Sequence, residues 1–290
     1  EMRIQLWSCQ YDPEPLGIGP ISRVWARELR RLGHEVEVVA AHPHYPSPEW
    51  GSKIFPYREV RDGVPVTRLP LRIGRVTKKE RFIQEMSFAA SLTIALPFLR
   101  PSDIQVSVSP SFPALLPAML NAKARNTPWL IWLQDILPDG AISTGYVENK
   151  SALYRASRKL ESAAYESATK IVVLSESFRA NLVAKGVPGD KIELAYNPAT
   201  FPFQMRDRVN VKLDKPPRII CMGNIGKSQN LEAVVEAFQA DEALAEKGAK
   251  LVITGTGVAE ANVRKAIVTD RVELLGLVSD ERLRHELEIA

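Results

Sequence analysis

A strand, a glycine-bearing turn and a helix follow one another twice in this 290-residue chain. The first copy spans 2–31 and carries Gly17–Gly19 in its turn, and the second spans 218–239 and carries Gly223–Gly226. Such turns put backbone N–H groups and a helix N-terminus at the carboxyl edge of a parallel sheet, where they favour anions. The repeat therefore predicts two Rossmann-like domains that face each other across a cleft.

The composition fits a globular protein of about two domains. Hydrophobic residues make up 45% of the chain and charged residues 25%, and at roughly 100–200 residues a domain the length suffices for two cores. The only cysteines, Cys9 and Cys221, are too few for a disulfide framework, and both end predicted core strands. No signal-peptide pattern follows the first residues. We therefore expect a cytoplasmic protein.

Strand-like and helix-like runs alternate along the first two thirds of the chain. The predicted strands are 35–40, 64–69, 104–107, 128–133, 171–174 and 192–195, and the predicted helices are 20–32, 80–99, 112–124, 150–167 and 176–185. Gly186 stands where a glycine would end the last of these helices. The alternation predicts an α/β domain with a largely parallel sheet.

A polar, proline-punctuated connector then separates two predicted domains. We place the first domain at 1–198, the linker at 199–217 and the second domain at 218–290. After its first strand and helix, the second domain has predicted strands at 250–254 and 271–274 and predicted helices at 259–268 and 280–289. Three strand–helix pairs are one half of a doubly wound sheet, so we expect this domain to be incomplete.

Several short motifs, each weak alone, occur in order along nearly the whole chain. They are Gly17-Ile18-Gly19, Leu32-Gly33-His34-Glu35-Val36, Val173-Leu174-Ser175-Glu176-Ser177-Phe178, the run 186–192 with Tyr196-Asn197-Pro198, Gly223-Asn224-Ile225-Gly226, Gly255-Thr256-Gly257 and Leu275-Gly276. The set resembles the retaining glycosyltransferases of family 4. That resemblance implies an α/β GT-B fold, here with two Rossmann-like domains facing a cleft and the second one incomplete. The segments 42–46 and 133–139 look most like the branch of colanic-acid and O-antigen fucosyl- or N-acetylfucosaminyl-type transferases, which builds bacterial surface polysaccharides.

The resemblance implies sugar transfer from a UDP or GDP sugar to a glycan or a polyprenyl-diphosphate-linked acceptor, with no separate cofactor. Charge developing on the leaving diphosphate must meet cationic groups and helix ends. The residues expected to contact the donor are Gly17, Ile18, Gly19, Gly223, Asn224, Lys227, Gly255, Gly257 and Val278. Asn224 and Gln229 stand where the family commonly has Arg and Lys, so we expect backbone N–H groups to contribute more than usual. On the residues alone, Lys227 is as readily a solvated surface lysine, and the glycines only form turns.

Asp135 is the candidate catalytic residue, because it directly follows a strongly apolar strand. The resemblance implies a polar residue facing the cleft at this position, and a carboxylate there can orient an acceptor hydroxyl or act as its base. A turn or helix-capping aspartate is an equally open interpretation, and Glu14 beside the glycine loop has the same two interpretations. His42 and His44 lack a matching carboxylate or cysteine set, so no metal site is predicted.

A basic and then apolar segment over 72–99 suggests peripheral contact with the inner face of the cell membrane. In this interpretation basic side chains meet anionic lipid and apolar ones enter the interface: Arg72, Arg75, Lys78, Lys79 and Arg81, then Phe82, Met86, Phe88, Leu92 and Leu96. The run is shorter than the roughly 20 apolar residues that span a bilayer. The alternative is a buried helix behind an exposed basic loop. The net charge of +4 is dispersed among acidic residues, so nucleic acid is not a predicted partner.

Two other functions stay open. The family carries a glutamate pair beyond the last helix of this sequence, and the chain ends before it, so we expect a truncated protein with little or no activity by itself. A non-catalytic module that binds a nucleotide sugar or an assembly partner fits that feature. A GT-B nucleotide-sugar epimerase is the second alternative, although its acidic and histidine constellation is not evident. A dehydrogenase is disfavoured, because Gly223–Gly226 lacks the full dinucleotide fingerprint.

Overall fold

The chain divides into two compact units, Glu1–Thr200 and Phe201–Ala290. The structure is a computed structural model that describes residues 1–45, 53–74, 77–109, 111–136, 151–200 and 216–290. Each unit has its own sheet and its own core. Across these ranges, no helix is long and apolar enough to cross a membrane.

An eight-stranded sheet forms the centre of the first unit. Its strands are β1 (Arg3–Ser8), β2 (Glu35–Ala41), β3 (Tyr57–Arg61), β4 (Val64–Leu69), β5 (Ile104–Val108), β6 (Trp129–Leu133), β7 (Lys170–Val173) and β8 (Ile192–Leu194), in the order β3-β4-β2-β1-β5-β6-β7-β8. Neighbouring strands are parallel except β3 and β4. The strand order reverses between β1 and β5, and ligands bind open α/β sheets at the carboxyl side of such a reversal.

Helices flank this sheet, and sequence signals mark the ends of two of them. They are α1 (Gly19–Arg31), α2 (Lys78–Ala95), α3 (Leu115–Arg125), α4 (Ala152–Ser167) and α5 (Glu176–Ala184). Thr77 and Glu80 form a capping box at the start of α2, and Ser175 caps α5. Gly186 has a φ of +88° directly after α5, which confirms the predicted glycine end of that helix.

Apolar side chains cover both faces of the sheet, which explains the uninterrupted apolar run 129–133. Trp129, Ile131 and Leu133 belong to the cluster on one face, whereas Trp132 belongs to the cluster on the other. The ring of Trp25 on α1 stacks on Trp132 with 3.7 Å between centroids. This stacking fixes α1 on the sheet and therefore places the loop between β1 and α1.

The second unit has a three-stranded parallel sheet in the order β11-β10-β9. Its elements are β9 (Arg218–Met222), α6 (Leu231–Ala240), α7 (Glu242–Glu246), β10 (Lys250–Thr254), α8 (Glu260–Ala266), β11 (Val272–Gly276) and α9 (Asp280–Ile289). Apolar side chains of α6 and α8 pack on β10 to form its core, which includes Val235, Val263 and Ile253. The predicted series of three strand–helix pairs is confirmed.

Some elements differ from the prediction. The segment 57–61 is a strand that the sequence analysis missed, and α7 was missed as well. The helix predicted from Gln229 begins at Leu231, because Asn230 takes a left-handed conformation with a φ of +47°. The helix predicted over 80–99 ends at Ala95 and continues as a 3-10 turn over Leu96–Phe98, since Pro97 has no N–H group to continue an α-helix.

The prediction that Phe88 and Leu92 face a membrane interface is wrong. Both side chains are buried in the core of the first unit, at 2% and 0% exposure. Leu96 is also partly buried against that core. The part of the prediction that concerns Arg75 and the Lys78 side chain lies outside the described residues.

Candidate functional site

The predicted site residues of the first unit follow strands that end at one edge of its sheet. Gly17–Gly19 lie in the connection after β1, and Asp135 lies two residues after β6. β5 runs between these two strands. Because all three strands are parallel, their carboxyl ends share one edge, so the structure brings both predicted groups to that edge.

Gln10 holds the glycine loop in place. Its side-chain oxygen accepts the Ile18 N–H at 3.2 Å, and a Cβ atom on Gly17 would overlap that oxygen. Gly17 also has a φ of +69°, which favours glycine. The Ile18 side chain is buried, so its backbone N–H is the part that a ligand can use. A ligand that uses this N–H must displace the Gln10 side chain. The sequence analysis missed this contact between Gln10 and Ile18.

A buried acidic residue, Glu14, lies beneath the same loop. Its side chain is 0% exposed, and its carboxylate accepts the N–H groups of Tyr11 at 3.0 Å, His44 at 3.1 Å and Tyr45 at 2.9 Å. Burial raises the pKa of Glu14 to about 7, although the three N–H groups and Arg68 oppose that rise. Glu14 is therefore neither an exposed turn residue nor, in this conformation, a group that a substrate can reach.

Arg68 connects β3, the end of β2 and the loop after β1. It is 0% exposed and donates to Glu59 at 2.8 Å, to the Ala41 carbonyl at 3.1 Å and to the Asp12 carbonyl. A buried guanidinium with each nitrogen engaged is a positioning group rather than a free anion site. Strand alternation puts Arg68 on the face of the buried Val64 and Val66. The sequence analysis missed its burial because arginine is mostly an exposed residue.

His42 and His44 lie after β2 and are both buried. Burial lowers the pKa of His42, whose ring lies 5.1 Å from that of Tyr57. The His44 Nδ1 atom lies 2.9 Å from the His42 carbonyl and 3.4 Å from Glu14. Among the described residues, no group of three or more His, Cys, Asp or Glu side chains is placed to hold a metal ion.

Asp135 lies at the carboxyl edge of the sheet with an exposed side chain. Partial desolvation by the surrounding protein nevertheless raises its pKa. The Asp135 carbonyl accepts the Ser109 hydroxyl at 3.4 Å, which ties it to the end of β5. The rest of the motif 133–139, from residue 137 onward, lies outside the described residues.

The residue beside Asp135 is held by an amide pair. Gln134 and Asn197 exchange two hydrogen bonds, at 3.1 and 2.8 Å, and so connect the end of β6 to the segment after β8. This pair fixes the backbone next to Asp135. Only a weak sequence signal indicates this pair: both residues are polar and follow predicted strands.

Two glycine turns pack against each other in the second unit. Gly223 follows β9 and Gly255 follows β10, and each has a φ of +124°. A Cβ atom on Gly255 would overlap the Gly223 carbonyl oxygen, and one on Gly257 would overlap the backbone of Ile225. Only glycine permits this approach, so Gly255 and Gly257 have a packing role in the described structure.

Several N–H groups of these turns are already used inside the fold. Gly223 donates to Thr254 at 3.0 Å, Ile225 donates to Thr256 at 2.9 Å, and Gly255 donates to the Gly276 carbonyl at 2.8 Å. These three groups are therefore not free to meet a phosphate. A diphosphate must use other groups of the turn, such as the exposed Asn224 and Lys227.

Lys227 and Val278 lie near the starts of two helices. Lys227 is exposed in a 3-10 turn that precedes α6, and Val278 is half-buried next to Ser279, the N-cap of α9. An open groove of about 540 Å³ adjoins Gly257 and is lined by Gly257, Val258, Glu260, Ala261, Arg264 and Lys265. Its two cationic side chains suit an anionic ligand, although Arg264 also pairs with Glu260 at 3.1 Å.

Comparison with known proteins gives a family and two curated relatives. Residues 17–198 match the family described as Glycosyl transferase 4-like domain. The chain is 26% identical over 280 residues to the putative colanic acid biosynthesis glycosyl transferase WcaI of Escherichia coli K12, covering 91% of this chain and 68% of that protein. It is 24% identical over 198 residues to the probable glycosyltransferase WbjE of Pseudomonas aeruginosa, covering 66% of this chain and 48% of that protein.

Solved structures show the same fold at low sequence identity. The catalytic domain of starch synthase IV from Arabidopsis thaliana, bound to ADP and acarbose, gives a TM-score of 0.62 at 15% identity, covering 99% of this chain and 76% of that one. A putative UDP-N-acetylglucosamine 2-epimerase from Listeria monocytogenes gives 0.55 at 14% identity, covering 99% and 72%. The expected α/β fold of GT-B type is confirmed.

Proposed function

The chain belongs to the glycosyl transferase 4-like family, and from this premise we propose that it transfers a sugar from a nucleoside-diphosphate donor with retention of anomeric configuration. Family membership is the observation that carries the proposal. The donor is a UDP or GDP sugar, and the acceptor is a glycan or a polyprenyl-diphosphate-linked sugar. The two curated relatives, one named for colanic acid biosynthesis, support a place in the synthesis of bacterial surface polysaccharide.

In this proposal the second unit binds the donor nucleotide. Lys227 supplies a point charge to the diphosphate, and Asn224 supplies a neutral donor. Val278 and the cationic groove beside Gly257 add contacts. Gly255 and Gly257 let the backbone of their turn come close to the turn that begins at Gly223, because glycine has no side chain. In this proposal that close approach shapes the site.

In the first unit we assign the glycine loop and Asp135 to the reaction. Gly17–Gly19 offer N–H groups at the start of α1, once Gln10 moves from Ile18. Asp135 orients or deprotonates the acceptor hydroxyl, and its accessible carboxylate with a raised pKa suits that role. Neither assignment requires a metal ion or a separate cofactor.

We also propose that the first unit contacts a membrane through the exposed side of α2. Phe82, Met86 and Ile94 of α2 and Phe98 of the 3-10 turn after it are 45–76% exposed. They form an apolar stripe on the side of α2 that faces away from the buried Phe88 and Leu92. Leu116 and Leu120 of the adjacent α3 are exposed as well. The exposed Lys79 at one end of this stripe suits an anionic lipid surface. Such contact would bring the protein to a lipid-linked acceptor.

A nucleotide-sugar epimerase is the second candidate, supported by the likeness to the Listeria protein. An epimerase and a transferase both bind a nucleotide sugar, but only a transferase joins the sugar to an acceptor. A non-catalytic binding module would bind the donor and leave it unchanged. Binding and turnover therefore have to be measured separately.

Calorimetric titration with UDP, GDP and their nucleosides, uridine and guanosine, tests the donor site. We expect one of the diphosphates to bind more tightly than its nucleoside. Lys227→Gln should weaken binding of the diphosphate by roughly ten- to a hundredfold, the size of one charge-assisted hydrogen bond, and leave binding of the nucleoside unaffected. Lys247→Gln, an exposed lysine at the end of α7, is the matched control. Equal binding of diphosphate and nucleoside would contradict the proposed donor site.

A further inference from the structure

Glu14 is the most completely enclosed acidic side chain near the candidate site, and the proposed reaction does not use it. Its Oε2 atom accepts the Tyr11 N–H at 3.0 Å. Its Oε1 atom accepts the N–H groups of His44 at 3.1 Å and Tyr45 at 2.9 Å. One carboxylate therefore joins two segments that lie 30 residues apart in sequence, one after β1 and one after β2.

The same residue supports the start of α1. The Glu14 carbonyl oxygen packs closely against Gly19, since a Cβ atom added to Gly19 would lie only 2.9 Å from it. Glu14 also donates its own N–H to the Tyr11 carbonyl at 3.1 Å. The loop from Tyr11 to Gly19 thus closes on itself around Glu14. Movement of this side chain would shift the N–H groups that the glycine loop presents.

We propose that Glu14 is a positioning residue whose ionised carboxylate holds the Gly17–Gly19 loop against the end of β2, in the geometry that binds a diphosphate. This inference rests on the proposed function, because it assigns the loop to the diphosphate of a nucleotide sugar or of a lipid-linked acceptor. Glu14 does not touch the substrate. It acts through the backbone of residues that do.

The contacts of Glu14 favour its ionised form. The three backbone groups at hydrogen-bond distance are donors, so the carboxylate can accept from all of them, whereas a protonated acid would lose an acceptor position. The charged and titratable groups that face it are Arg68, the His44 ring at 3.4 Å and the neighbouring Tyr11. Burial opposes ionisation and raises the pKa of Glu14 to about 7. The loop geometry should therefore respond to pH near neutrality.

A purely structural role predicts a different result. A glutamate that only stabilises the fold would change the free energy of unfolding when it is replaced, but would not couple diphosphate affinity to its own ionisation. Glu14→Gln keeps the size of the side chain and removes the titration. Glu28→Gln, on the exposed side of α1, makes the same chemical change without burial and serves as the control.

The first measurement follows backbone amide shifts in the ¹⁵N-labelled protein from pH 5 to pH 9. We expect the amides of Tyr11 and Tyr45 to titrate with a common midpoint near pH 7, as the raised pKa of Glu14 requires. This step should disappear in Glu14→Gln and persist in Glu28→Gln. The wild-type titration needs no variant, so the test survives if Glu14→Gln fails to fold. Absence of a common step in the wild type would overturn the proposal.

The second measurement compares affinities for UDP and for geranyl diphosphate at pH 8 and pH 6. If only the ionised form binds, a pKa of about 7 lowers the competent fraction about tenfold between these values, and the apparent Kd rises by the same factor. Each ligand phosphate also titrates near pH 6, so the wild type is read against both variants. We expect Glu28→Gln to follow the wild type and Glu14→Gln to lack the extra tenfold change.

The outcomes separate the positioning role from the proposed function. An extra pH dependence for UDP alone assigns the loop to the donor, and one for geranyl diphosphate alone assigns it to the acceptor. The same pH dependence in Glu14→Gln and the wild type overturns the positioning role while leaving the proposed function intact. Failure of both diphosphates to bind the wild type, with a normal amide titration, contradicts the ligand assignment of the loop and therefore the proposal.

Discussion

Glycine has a different purpose in each of the two turns that follow β9 and β10. Gly223 and Gly255 share a φ of +124°, but space is open around the Cβ position of Gly223 and blocked at Gly255. The two residues therefore separate the effect of backbone conformation from the effect of close approach. That separation gives a matched pair of substitutions within one unit.

Gly255→Ala should destabilise the second unit strongly. Its new methyl group would overlap the Gly223 carbonyl oxygen, which adds an over-packing cost of about 1–3 kcal/mol to a backbone strain of about 1–3 kcal/mol. Gly223→Ala carries the strain alone. The difference between the two free energies of unfolding then measures the overlap.

Cysteine labelling in urea can measure each unit separately. Each unit has one cysteine, Cys9 in the first and Cys221 in the second, so mass spectrometry after alkylation reports each unit from one residue. We expect Gly255→Ala to expose Cys221 at lower urea concentration than Gly223→Ala does, without a shift for Cys9. If Cys221 became exposed at the same urea concentration in both variants, the overlap at Gly255 would add no cost to the strain, contrary to this prediction.

Asp135→Asn should lower transfer while leaving the fold unchanged. If Asp135 is the base for the acceptor hydroxyl, the rate should fall about 10²–10⁴-fold, because the amide cannot take the proton. In the wild type the rate should fall on acidification at a higher pH than an ordinary aspartate would cause, since burial raises the pKa of Asp135. Initial rates from pH 4 to pH 8 measure both effects.

The exposed Asp270→Asn is the control for that substitution. It should keep the wild-type rate and pH profile. A wild-type rate in Asp135→Asn would contradict the catalytic role and favour the alternative interpretation, that Asp135 is a turn residue.

At the scale of elements, α2 shows why periodicity alone misassigned a surface. Its buried side includes Phe88 and Leu92, and its exposed side includes Phe82, Met86 and Ile94. Because apolar residues occupy both sides, the sequence does not reveal which side meets the sheet. Tertiary contacts of α2 with α3 and the sheet determine which side is buried.

Replacing the exposed stripe should weaken binding to anionic vesicles. The variant Phe82→Ser, Met86→Ser, Ile94→Ser and Phe98→Ser removes apolar side chains that would enter the lipid interface. We expect cosedimentation with vesicles containing phosphatidylglycerol to fall, and wild-type binding to fall with added salt. Val60→Ser, on the exposed side of β3, should bind like the wild type. Unchanged binding of the stripe variant would contradict a membrane contact through α2.

The last helix is held to the second sheet by one glutamate. Glu286 on α9 accepts from Arg218 on β9 at 2.5 and 3.1 Å and pairs with Arg282 at 2.6 Å. Burial alone would raise the pKa of Glu286, but the two guanidinium groups that cover it hold the pKa below its usual value. This interaction links the first strand and the last helix of the unit.

Glu286→Gln should destabilise the second unit by about 1–3 kcal/mol at neutral pH, the range for hydrogen bonds to charged groups. A lowered pKa in the folded state means that the wild-type carboxylate stabilises the fold above the unfolded pKa and loses this effect as pH falls through the folded pKa. The variant should therefore lose less stability than the wild type below about pH 4.5. Urea-dependent labelling of Cys221 with 4,4′-dithiodipyridine, which also reacts with thiols at acidic pH, measures the difference between pH 7 and pH 4. An equal loss in both proteins would contradict a stabilising role for the charge.

At the scale of the molecule, the sequence predicted the parallel strands well and the interior polar groups poorly. The predicted strands at 64–69 and 250–254 agree with β4 and β10 to the residue, because buried parallel strands form short apolar runs between turn signals. β3 was missed because it is an edge strand rich in charge, and edge strands carry little apolar pattern.

The candidate site was likewise predicted in part. The positions of Gly17–Gly19 and Asp135 at the ends of strands followed from the α/β alternation. The burial of Glu14 and Arg68 did not, because it depends on partners 30 and 56 residues away in sequence. Nor could the sequence show that Gly223 and Gly255 donate their N–H groups within the fold. Those contacts exist only once the strands are aligned.

We propose that this protein joins a sugar to an acceptor with retention of the anomeric configuration. Proton NMR of a mixture of the protein, a panel of UDP and GDP sugars and a polyprenyl-diphosphate-linked monosaccharide tests this reaction directly. We expect a new anomeric signal with the donor's configuration, which depends on both donor and acceptor. A changed donor sugar without acceptor, or a product of inverted configuration, would contradict it.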